Sequence, residues 1–167
     1  MNYKVILSAS LFLLLISMDS CAQSKYGIRK TDAFFTERLP GNIPVDENGR
    51  SLYHGPDTIN TVYLETRGAS IKWIAAWKDG RSFSIITLAI KNTPFEVGIN
   101  KITNKKILLK PSPGNKLWLL ELQKTETSSK PPVKMKTGGI ILQGRSGGKI
   151  FIQRIGSQTE LTSIPSV

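Results

Sequence analysis

Sulfur and imidazole are nearly absent from this chain, which has one cysteine, Cys21, and one histidine, His54, in 167 residues. A zinc site of the usual kind needs several Cys or His ligands, so no metal centre of that kind, and no cofactor, is expected. Any Ser-His-Asp set would have to be built around His54, for which Asp57 is the nearest acidic partner. Acidic side chains are also scarce, 12 against 23 basic ones, for a formal net charge of +11. No close carboxylate pair suggests a glycosidase cleft. Apolar runs long enough to cross a membrane as a helix are missing past Ile16.

The one apolar run, Val5 to Ile16, follows Lys4 and is short for a bilayer span. Ser20-Cys21-Ala22 then places small residues before Gln23, so residues 1–22 read as a secretory signal peptide cleaved after Ala22. The expected location is outside the cytoplasm, periplasmic or secreted. The alternative exit is a lipoprotein signal, Met18-Asp19-Ser20-Cys21, in which Cys21 carries lipid and holds the protein at the outer membrane. Cleavage after Ala22 leaves about 145 residues without a cysteine, hence one domain stabilised by burial and backbone pairing, with no disulfide.

What is present is lysine. Residues 101–167 carry 12 basic and 3 acidic side chains, against 10 and 8 in residues 23–100. A field of that sign attracts phosphates and acidic sugars, although lysine also serves simply to keep a surface soluble. Lys105, Lys106, Lys110 and Lys116 form the candidate binding set, for an anionic lipid, a lipopolysaccharide or an acidic polysaccharide. No specific nucleic acid is expected. A second class of partner is another envelope protein, met by pairing at an open sheet edge.

Residues 23–57 are broken by Pro40, Gly41, Pro44, Gly49, Gly55 and Pro56 and read as an irregular N-terminal segment packing on the sheet. Within it, Asn48-Gly49 suggests a small hairpin turn; the neighbouring Asp46-Glu47 lacks the later carboxylate that a calcium loop requires. Residues 58–164 read as a single β domain. Strands are expected over 58–66, 70–78 and 81–91, the last two joined by Asp79-Gly80 with 78 opposite 81. That hairpin is apolar on both faces, with Ile71, Trp73, Trp77, Ile86 and Leu88 on one and Ile74, Ala76, Phe83 and Ile85 on the other. It should therefore lie centrally, covered on both sides, with Phe34-Phe35 supplying part of the cover. A second hairpin is expected between 105–110 and 116–123, with Leu109 opposite Leu117. A third joins 139–145 to 149–155 through a three-residue loop that groups Ile140, Leu142, Ile150 and Ile152.

No stretch past the signal has a helical apolar period. The fold class expected is all-β, an antiparallel β-sandwich or partly open barrel of 7–9 short strands. Trp73, Trp77 and Trp118 fill the core of such a fold, or stack on sugars if they surface beside lysines. Lys136-Thr137-Gly138 and Ser146-Gly147-Gly148-Lys149 have the wrong order and spacing for a serine acyl-enzyme. The functional expectation is an exported protein that binds or builds without catalysis, with a small hydrolase on His54 and Asp57 as the enzymatic alternative.

Overall fold

The computed structural model describes residues 26–39, 45–50, 57–68, 70–126 and 129–165. Residues 1–22, read above as a signal peptide and containing Cys21, and also His54, lie outside the described residues. No described residue lies in an α-helix, and ten strands are present among them: β1 (Ile28–Leu39), β2 (Asp57–Thr66), β3 (Lys72–Lys78), β4 (Arg81–Ile90), β5 (Phe95–Ile99), β6 (Lys106–Leu109), β7 (Lys116–Lys124), β8 (Ile140–Ser146), β9 (Lys149–Ile155) and β10 (Thr159–Pro165). Eight of them make one sheet in the order β10-β1-β2-β7-β4-β3-β8-β9, curled into a half-barrel; β5 and β6 pair separately. The partly open barrel is thus the nearer of the two expected architectures. It is mixed and not wholly antiparallel, because β10 runs parallel to β1.

Curling gives the sheet a concave and a convex face with separate cores. Val62, Leu64, Ala76, Phe83, Leu120, Leu122, Ile140, Leu142, Phe151 and Ile155 fill the concave side. They come from β2, β3, β4, β7, β8 and β9, since strand side chains alternate between faces. On the convex side the β5–β6 hairpin sets Phe95, Val97, Ile107 and Leu109 over Phe34, Tyr63 and Leu117. Tyr26 stacks on Phe151 with ring centroids 4.1 Å apart, which joins the chain entering β1 to β9 at the far edge of the sheet. From Ile155, three residues lead directly into β10, so consecutive stretches of chain form both edges of the sheet.

Several expectations need correction. Residues 28–39, read as part of an irregular segment, form the longest strand. Its sequence, IRKTDAFFTERL, lacks apolar alternation because much of the strand meets solvent or polar neighbours. Phe34 and Phe35 are therefore adjacent strand residues pointing to opposite faces, not a lid. Phe34 meets Tyr63 edge-on at 5.6 Å on the convex side, while the Lys78 ammonium lies 5.1 Å from the Phe35 ring.

The expected β6–β7 hairpin does not form. β6 pairs with β5, and β7 is inserted between β2 and β4, with Leu117 opposite Glu65 on one side and Ile90 on the other. The proline-bearing loop 111–115 is held instead by Glu65, whose carboxylate accepts from the Ser112 N–H at 2.9 Å and from the Asn115 amide. The β8–β9 loop has two residues and not three: Ser146 faces Lys149, and Gly147 and Gly148 have φ of 55° and 78°. Two successive left-handed glycines make the primed turn that matches strand twist, and this local geometry sets the register. Ile141 then opposes Arg154, a pairing that a three-residue loop would avoid, but Ile141 is buried beside Trp77 and the pairing is tolerated.

The β3–β4 turn forms as expected, with Lys78 opposite Arg81 and positive φ at Asp79 and Gly80. After three pairs the strands part, β4 to β7 and β3 to β8. A bulge at Ile74 then turns Trp73 to the concave face while Trp77 stays convex, so the two tryptophans do not share a face. The hairpin is central, but Ile86 and Leu88 are exposed, not covered.

Candidate functional site

One end of the half-barrel is stoppered and the other is open. At the stoppered end Lys78 reaches from β3 to β2, where its ammonium donates to Asn60 Oδ1 at 2.7 Å; Gln158 donates to the same oxygen at 3.2 Å. Burial holds the Lys78 amine below its ordinary pKa, partly offset by the nearby Asp79 carboxylate.

The open end is a mouth of about 210 Å³ between the ends of β2 and β4 and the starts of β3 and β7. Leu64 is at its floor, Ile71, Trp73 and Trp118 line its walls, and Thr66, Ser70, Thr87 and Lys116 supply its polar groups. The tryptophans are held in place. Trp118 Nε1 donates to the buried Thr66 hydroxyl at 3.0 Å, and Trp73 meets Phe151 edge-on at 5.7 Å. The β3 bulge brings Trp73 here, a displacement that strand alternation alone does not reveal. Lys116 is the one charged lining residue. The mouth can accept a flat apolar surface bearing a negative group, and its lining contains no acid–base pair.

Glu65 sets Lys116 by holding the loop before it. Burial pushes the Glu65 carboxyl up, but hydrogen bonds from Asn115 and Ser112, with help from Lys30, outweigh it and leave the group below its ordinary 4.5. A depressed carboxyl stabilises the fold above that value and loses its contribution as pH falls through the native pKa. Glu65→Gln should therefore cost about 1–2 kcal/mol at pH 7. In melting curves from pH 7 to pH 2 the deficit should shrink towards the acid end. A deficit independent of pH would show that the carboxylate charge is not what holds the loop.

The four candidate lysines do not converge. Lys105 ends the β5–β6 turn and Lys106 begins β6, Lys110 lies just past the other end of β6, and only Lys116 reaches the mouth. Lys106 pairs with Glu96 at 3.3 Å. Asp57, the expected partner of His54, begins β2 and forms an ion pair with Lys124. Asp46 closes its own turn, its Oδ1 accepting from the Asn48 N–H at 2.9 Å and the Arg50 N–H at 2.7 Å. A broader, shallow cleft of about 520 Å³ lies over Trp77 and Ile141 beneath residues 131–139, with Lys134 and Lys136 at its rim. Among the described residues no three His, Cys, Asp or Glu side chains gather to hold a metal, and no helix is long and apolar enough to cross a membrane. Comparison with known proteins finds no matching family model, no matching curated protein and no matching solved structure.

Proposed function

We propose that this is an exported, non-catalytic binding protein, periplasmic or secreted, whose mouth takes an acidic saccharide of the cell envelope. The observation that carries the reading is Lys116 placed in one cavity with the indoles of Trp73 and Trp118. Indole faces stack on sugar rings, and an ammonium on the rim selects a carboxylate or phosphate substituent. Titration of intrinsic tryptophan fluorescence with short oligogalacturonates tests it. Trp118→Ala should weaken binding at least tenfold, and Lys116→Gln severalfold with a flatter dependence on salt. Equal affinity in the parent and both variants would remove the mouth as the site.

A second reading is envelope assembly, with Cys21 as a lipid anchor and an open sheet edge as the contact. It is favoured by β1, whose outer edge has no β10 partner before Phe34. A hydrolase on His54 and Asp57 has less support, because the Asp57 carboxylate is already paired with Lys124.

A further inference from the structure

The turn between β5 and β6 is unusually well tied for a surface connection. Asn100 Oδ1 accepts from the Ile102 and Thr103 N–H groups, both at 2.9 Å, and the Asn100 carbonyl accepts from the Asn104 N–H at 2.8 Å. The Lys101 N–H donates to the Glu160 carbonyl at 3.0 Å, and the Lys101 ammonium pairs with the Glu160 carboxylate, which fastens the turn to β10. This braced turn holds Ile102 at 87% exposure, the most exposed large apolar side chain among the described residues. In β6, Ile107 and Leu109 pack inward, while Lys106 and Leu108 face out, Leu108 at 56% exposure. Four lysines, 101, 105, 106 and 110, accompany these two apolar groups on residues 95–110. Glu160 and Glu96 pair with two of them; Lys105 and Lys110 have no carboxylate within 4 Å among the described residues.

A flexible loop could fold Ile102 back against the body. This one is held out, so the burial energy of the side chain is left for something outside the molecule. A free phosphate would use the lysines and ignore Ile102 and Leu108. A protein partner would call for a broader continuous apolar patch than two separated side chains. An anionic bilayer suits both features, because a deformable interface admits isolated apolar groups while its headgroups meet the surrounding ammonium ions. We propose that the β5–β6 hairpin docks on an anionic lipid surface, Ile102 and Leu108 entering the interface and Lys105, Lys106 and Lys110 facing the headgroups.

This surface lies on the convex side and is independent of the mouth, so each can fail alone. Co-sedimentation of the exported chain with vesicles of phosphatidylcholine and phosphatidylglycerol, against phosphatidylcholine alone, gives the measurement. Preferential binding to the anionic vesicles is expected. Ile102→Ser, which leaves charge unchanged, should weaken it about tenfold, and Lys105→Gln with Lys106→Gln together roughly tenfold or more. Trp118→Ala and Lys116→Gln should leave it as it was. No preference for anionic vesicles would overturn the proposal. So would binding that responds to the lysine changes but not to Ile102→Ser or Leu108→Ser, which would mean surface adsorption without insertion.

Discussion

Phe151→Ala is expected to remove about 3–5 kcal/mol of folding stability, the usual range for truncating a buried aromatic. The position is more than a filled volume. Its ring stacks on Tyr26 at 4.1 Å, meets Trp73 at 5.7 Å, and lies over Gly144, where an added Cβ would come within 2.8 Å of the ring. Those neighbours belong to the entry into β1, to β3 and to β8. The ring therefore joins the two margins of a sheet that curls but does not close by hydrogen bonds there. A domain of this size has roughly 5–15 kcal/mol to lose. Denaturant unfolding should show a large fall in midpoint, with Trp73 emission altered in the folded baseline. A loss below about 1 kcal/mol would mean that the margins are held by something other than this stack.

Leu120→Ala and Leu88→Ala should differ widely although the residues are alike and sit on adjacent strands. Leu120 is 0% exposed on the concave face, amid Val62, Leu64 and Leu142, and its truncation should cost about 2–5 kcal/mol. Leu88 lies opposite Leu119 on the convex face at 46% exposure, and its loss should stay below about 1 kcal/mol. Reversed or equal costs, measured by urea unfolding, would place the main core on the wrong side of the sheet.

That contrast shows how far the sequence can be read. Alternation along residues 116–124 identifies a strand, yet Leu117, Leu119, Leu120 and Leu122 leave both of its faces apolar. Which face is the better covered depends on the β5–β6 hairpin, and the five residues 95–99 are too short a stretch to announce their strand. The mouth is half legible. Lys116 and the tryptophans stand out by residue type, but the other candidate lysines, Lys105, Lys106 and Lys110, lie with the β5–β6 hairpin on the other side of the sheet. Alternation gives Trp73 a parity that one bulged residue reverses.

The divide falls between local and distant interactions. The β class, the absence of helical periodicity and the Asp79-Gly80 turn are written in neighbouring residues, where backbone sterics and side-chain alternation act over two to four positions. Pairing partners are chosen across long stretches of chain, by whichever edges can satisfy every N–H and C=O while burying the most apolar surface. β7 could offer β6 a short connection, but between β2 and β4 it satisfies both of its edges, and no short pattern in the sequence records that preference. The curl of the sheet, the seam at Phe151 and the mouth beside Lys116 all follow from that distant choice.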